Sequence, residues 1–108
     1  MQIKFVSKHV PLTPAIEQYS EKKLDKFPRF FDRIQEIELT IDKSRIGYAI
    51  EIRTSVEHHD DFIATSEDPD LYACIDLGVD RAIRQLKDHK SKLRDQKHHT
   101  SMGGKEMS

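Results

Sequence analysis

The chain has no tryptophan, one cysteine, four glycines and no apolar run near the ~20 residues that cross a membrane. A lone cysteine, Cys74, excludes an internal disulfide and fits a reducing cytoplasm. The opening Met1-Gln2-Ile3-Lys4 lacks the long apolar stretch of a signal peptide, so neither secretion nor a membrane partner is expected. Gly47, Gly78, Gly103 and Gly104 are too scattered to cradle a phosphate. Paired catalytic carboxylates and Ser–His or Cys–His arrangements are also missing. We therefore assign no catalytic residue and no cofactor, and expect no enzyme. His58-His59-Asp60-Asp61 and His98-His99 lack a recognised ligand spacing, so no metal is assigned; a polar hairpin and a helix end account for them. Cys74, between Ala73 and Ile75, reads as a small packing residue rather than a nucleophile.

What is present is charge, and it is unevenly distributed. With 18 Lys and Arg against 19 Asp and Glu, the formal net charge is −1. Residues 1–35 hold seven bases and four acids (+3), residues 36–80 three bases and twelve acids (−9), and residues 81–108 eight bases and three acids (+5). A near-neutral total thus conceals two basic ends around an acidic middle.

The 108 residues suffice for one domain. Ile3 and Phe5 alternate with polar neighbours, predicting a strand over about residues 2–7. Thr13-Pro14 supplies a cap and a first-turn proline, and Ile16, Tyr19, Leu24 and Phe27 give a helical stripe that Pro28 should stop near Phe27. Ile37, Leu39 and Ile41 alternate with Glu36, Glu38, Thr40 and Asp42 as a second strand, and Lys43 to Gly47 turns. Tyr48 through Val56 alternates as the longest strand, His58 to Asp61 reads as a hairpin loop, and Phe62 to Thr65 as a fourth strand. A second helix opens at Asp68-Pro69-Asp70, with Tyr72, Ile75, Val79, Ala82, Ile83, Leu86 and Leu93 as its apolar stripe. Running to about Lys97, it would reach roughly 40 Å, longer than a small sheet covers. Tyr72 is expected as a core aromatic with a satisfied hydroxyl.

The fold class is therefore α+β, in the order β-α-β-β-β-α: a four-stranded mixed sheet with both helices on one face. The strand–helix–strand start predicts a right-handed crossover that makes the first two strands parallel, followed by an antiparallel meander. The other sheet face, rich in Glu and Thr, should meet solvent.

Projected at about 100° per residue from Arg81, Arg84, Lys87 and Arg94 form a stripe on one flank of the second helix, at about 300°, 240° and 220°. Lys90 and Lys97 point in the core direction, where the helix should have outrun the sheet, and Asp88 and Asp95 lie on the outer side. On the first helix Lys22, Lys23 and Lys26 gather opposite Glu17, Glu21 and Asp25. Such segregation suits a phosphate-binding face, for which Arg offers a planar fork and Lys a point charge. It is also compatible with a merely solvated face and helix-dipole pairing. On the first alternative, the acidic sheet would repel nucleic acid and orient its approach.

The stretch Asp70-Leu71-Tyr72-Ala73-Cys74-Ile75-Asp76, with Arg81-Ala82-Ile83-Arg84-Gln85-Leu86-Lys87-Asp88-His89-Lys90-Ser91-Lys92-Leu93, resembles the ribosome hibernation-promoting factor family. That family includes ribosome-associated inhibitor A and proteins once labelled sigma-54 modulation proteins. Met1 to Val6, Leu12-Thr13-Pro14-Ala15-Ile16 and Phe31-Asp32-Arg33-Ile34 carry the likeness further, over roughly residues 1–95. The resemblance implies a fold like the double-stranded-RNA-binding domain, docked on the small ribosomal subunit and its 16S rRNA near the decoding centre. There it would overlap messenger and transfer RNA and stop translation on whole ribosomes in starvation or stationary phase. It implies rRNA contacts at Lys23, Lys26, Arg81, Arg84, Lys87, Lys90 and Lys92; the charge projection adds Lys22 and Arg94. Cys74 departs from the family's common Ala, and no acidic ending is present. The extra dimerising domain of long members is not expected within these 108 residues. The expected organisation is a ribosome-binding domain at 1–98 and a disordered tail at 99–108, monomeric when free. Two other functions fit the charges: a regulatory protein-binding module and a general double-stranded-RNA binder.

Overall fold

The computed structural model describes the backbone of residues 1–101 and the side chains of residues 1–94. Residues 102–108, most of the expected tail, lie outside the described residues, as do the side chains of His98 and His99. Strand β1 (Gln2–Ser7) leads into helix α1 (Pro14–Leu24), a 3-10 turn (Phe27–Arg29), and strands β2 (Ile34–Ser44), β3 (Gly47–Val56) and β4 (Phe62–Asp68). Helix α2 (Leu71–Ser101) follows. The sheet order is β1-β2-β3-β4, with β1 parallel to β2 and the other pairs antiparallel. This is the mixed β-α-β-β-β-α architecture expected from the alternation.

Period-two patterning puts Ile37, Leu39, Ile41, Ile50, Ile52 and Ala64 on one face, all buried. Against them pack Ile16 and Leu24 of α1, Phe27 of the turn, and Ile75, Val79, Ala82 and Leu86 of α2. Burying a side chain of this size contributes about 1.5–3 kcal/mol. Gly78 lets α2 lie close to the sheet: a Cβ there would stand 3.0 Å from Ser66 Oγ and 3.2 Å from Ile50 Cγ2. Cys74 is fully buried, and burial pushes its thiol above the ordinary value, in keeping with a packing role.

The boundaries move from the sequence expectation at several points, α2 among them, which runs to Ser101 rather than to about Lys97. Helix α1 is capped by Thr13, whose hydroxyl accepts from the Ile16 amide at 3.2 Å, but it ends at Leu24. Phe27 and Pro28 belong to the 3-10 turn instead. Strand β4 continues past Thr65 to Asp68, because Ser66 turns inward and its hydroxyl donates to the Cys74 carbonyl at 2.8 Å. Asp68 stays paired with Tyr48, which delays the start of α2. The cap is then Asp70, whose carboxylate accepts from the Tyr72 amide at 3.3 Å, while Asp68 accepts from the Asp70 amide at 2.8 Å.

The β2–β3 turn is tighter than expected: Ser44 pairs with Gly47, leaving only Arg45 and Ile46 between the strands. Gly47 has φ +150°, and a Cβ there would fall 2.5 Å from Pro69 Cα. The turn thereby braces the chain entering α2.

Candidate nucleic-acid interface

Two i,i+4 pairs face each other where α1 meets α2: Tyr19 and Lys23 on one helix, Tyr72 and Asp76 on the other. The Tyr19 hydroxyl donates to Asp76 Oδ1 at 2.7 Å, and Lys23 Nζ lies 2.9 Å from the same oxygen. Lys23 also sits over the Tyr19 ring, 5.1 Å from its centroid. Burial opposes charge on Asp76, yet the bonds from Tyr19 and Lys23 outweigh it and hold the carboxyl below its ordinary range. The bond to Asp76 in turn raises Lys23, and it also raises Tyr19. The ring of Tyr72 meets Tyr19 edge-on at 4.9 Å but is 39% exposed. The expectation of a buried Tyr72 with a satisfied hydroxyl is therefore wrong. Tyr19 fills that role, because Tyr72 occupies the first turn of α2, at the margin of the core.

On its other flank α2 guards the sheet edge. Arg81 donates to the Thr65 carbonyl at 2.7 Å and Gln85 to the Ile63 carbonyl at 2.9 Å, so one helical turn covers two outward carbonyls of β4. Arg81, Arg84, Gln85 and Asp88 line the shallow groove alongside.

Farther along α2, the Lys87 ammonium stands 5.1 Å from the centroid of Phe30, which is half-buried beside the 3-10 turn. Beyond it, His89 packs among Phe31, Phe62 and His59, with ring centroids 5.3, 5.1 and 4.5 Å away. Burial, then the nearby His59 and Lys92 charges, lowers the His89 pKa. The hairpin histidine thus takes part in an aromatic contact.

The nine basic positions selected from sequence fall into distinct settings. Lys22, Lys26, Arg84, Lys87, Lys90, Lys92 and Arg94 are exposed. Among the described residues, Lys22, Lys26, Arg84, Lys87 and Lys90 form no ion pair with a carboxylate. Lys23 is half-buried and held by Asp76, and Arg81 is exposed but bonded to β4. Sequence reasoning selected Lys23 without its partners Asp76 and Tyr19, although the two i,i+4 spacings were visible. It also passed over Phe30, and Arg29 and Arg33 nearby, which are exposed.

The opposite sheet face carries Glu36, Glu38, Asp42, Glu51 and Glu67, partly offset by Lys4, 3.6 Å from Glu36, and by Arg53, 3.9 Å from Glu51 and from Asp61. The helical side therefore carries most of the basic groups, interspersed with Glu17, Glu21, Asp25, Asp70, Asp80 and Asp88, while the open sheet face is mainly acidic. Among the described residues, no helix is long and apolar enough to cross a membrane.

The chain is 31% identical over 94 residues to a ribosome hibernation promoting factor of Klebsiella oxytoca, spanning 87% of this chain and 98% of that protein. It is 33% identical over 92 residues to a protein of the same name from Azotobacter vinelandii, with 85% of each covered. Among solved structures, the Thermus thermophilus Protein Y N-terminal domain matches with a TM-score of 0.74 and 31% identity, covering 82% of this chain and 99% of that one. A ribosomal subunit interface protein from Coxiella burnetii shares the fold, with a TM-score of 0.78 at 23% identity, covering 84% of this chain and 99% of that one. The model of the Sigma 54 modulation protein / S30EA ribosomal protein family matches residues 3–94, and the chain belongs to that family.

Proposed function

We propose that this protein is a ribosome hibernation factor whose helical side docks on the 16S rRNA of the small ribosomal subunit. The occupied site is the channel near the decoding centre, where the protein blocks messenger and transfer RNA and silences translation in starvation or stationary phase. The observation that carries this reading is the cluster of exposed cations on α1 and α2, backed by an acidic sheet. The names of the relatives give it the ribosome as partner. Lys22, Lys26, Arg84, Lys87, Lys90, Lys92 and Arg94 contact phosphates, while Lys23 and Arg81 reach RNA only with the protons that Asp76 and Thr65 leave free. Recognition runs through shape and charge, since the deep major groove of A-form RNA hides its base edges. No step of bond making or breaking is required.

Co-sedimentation with purified small subunits across a salt series tests this. With about seven phosphate contacts, affinity falls steeply with salt through counterion release. A flat salt response, or binding that survives nuclease digestion of the rRNA, favours a protein-binding module. Equal affinity for an arbitrary RNA duplex favours a general double-stranded-RNA binder.

A further inference from the structure

We propose that Phe30 and Lys87 form a nucleotide-binding subsite, in which the Phe30 ring stacks an unpaired base and Lys87 takes its phosphate. The proposal rests on the reading that the helical side binds RNA. Phe30 is half-buried and packs against the core, which fixes the ring, while the Lys87 ammonium lies over it, 5.1 Å from the centroid. Lys87 is exposed and, among the described residues, pairs with no carboxylate. A cation–π contact at an exposed site is weak, about 0.5–1 kcal/mol. A charge-assisted bond to phosphate is stronger, so an arriving phosphate draws the ammonium off the ring and uncovers it.

The surrounding charge selects the occupant. Arg29 immediately precedes Phe30 in the chain, Lys26 lies one turn before it and Arg33 just after, all three exposed, and with Lys87 they outnumber the nearby acids Asp32 and Asp88. Tyr72 is the more exposed aromatic, but Asp70 and Asp76 beside it on the helix disfavour a phosphate. A nucleotide offers both complements at once, a flat π-face for the ring and a negative charge for the lysine. Base–aromatic stacking of this kind is tolerant of base identity. The arrangement thus adds an apolar anchor to a surface otherwise built of point charges.

Because the chain has no tryptophan, Phe30→Trp places a single reporter in the subsite, and the wild-type complex serves as the blank. On titration with purified small subunits, the indole emission of this variant is expected to be quenched as binding saturates. Phe30→Leu is expected to weaken binding about tenfold while leaving the slope of log affinity against log salt unchanged. Lys87→Met should reduce that slope by about one. Phe30→Trp reports even if Phe30→Leu loses stability. Unquenched emission in a complex that still sediments, or wild-type affinity in folded Phe30→Leu, overturns the subsite while leaving the proposed function standing. Failure of the wild-type protein to bind small subunits overturns the proposed function itself.

Discussion

Lys23 and Asp76 belong to different helices, yet their charged atoms stand 2.9 Å apart, and the hydroxyl of Tyr19 shares the same carboxylate oxygen. Asp76 thereby ties α1 to the first turns of α2. Its side chain is 44% exposed and that of Lys23 is 31% exposed, so solvent screens much of the attraction. We expect Asp76→Ala to cost about 1 kcal/mol, mostly through the hydrogen bond lost by Tyr19, as read by urea denaturation. The same variant frees Lys23 and removes a negative charge, so binding to small subunits should tighten and its salt slope steepen. A variant of unchanged stability would show that the joint between the helices does not depend on this carboxylate.

His89 predicts a pH dependence. Its folded pKa lies below the ordinary 6.5, because burial and then the His59 and Lys92 charges resist its protonation. The unfolded chain therefore binds more protons as pH falls through 6.5 toward the folded value. Stability is full above the ordinary value, declines across that window, and levels off below the folded pKa. Melting temperatures taken from about pH 7.5 down to about pH 5.5 should fall less steeply in His89→Leu than in the wild type. Parallel curves would remove His89 as a source of acid sensitivity.

Gly47 should tolerate no side chain. Its φ of +150° is strained for any L-residue, and a Cβ would meet the backbone of Pro69 at 2.5 Å and of Asp68 at 2.8 Å. Neither obstacle is the end of a flexible side chain. Gly47→Ala should cost about 1–3 kcal/mol, measured by chemical denaturation, because the β2–β3 turn and the approach to α2 must separate. Full stability in that variant would mean that the turn can move away at little cost.

The strands were legible because one sheet face is buried and alternation records it directly: Ile37, Leu39 and Ile41 face in, while Glu36, Glu38 and Thr40 interleave. Helix starts were legible to within a few residues from Thr13-Pro14 and Asp68-Pro69-Asp70. Less accessible was whatever depends on a partner distant in the chain. Ser66 and Asp68 are poor strand formers, and they extend β4 only through bonds to Cys74 and pairing with Ile50 and Tyr48. A helical projection collects Lys23 with its basic neighbours but cannot show that Asp76 is its partner, nor that Arg81 is turned toward a strand edge. Tyr72 missed its expected place in the core for the same reason, since both it and Tyr19 fit an apolar stripe and only tertiary packing decides that Tyr19 is the more covered.

Arg81→Ser with Gln85→Ser separates edge protection from RNA contact. In the wild type these two side chains donate to the outward carbonyls of Thr65 and Ile63 at 2.7 and 2.9 Å. Removing both leaves the outer edge of β4 open to another strand, a template for self-association. The loss in folding stability should be modest, about 1 kcal/mol per bond, since water can reach the freed carbonyls. The larger change should be a concentration-dependent rise in mass by light scattering, absent from the Arg84→Glu, Lys87→Glu protein. That charge-reversed pair instead should lose small-subunit binding while melting near the wild-type temperature, because both side chains are exposed. If the serine variant remains monodisperse and loses only ribosome binding, Arg81 serves the RNA and the edge needs no guard.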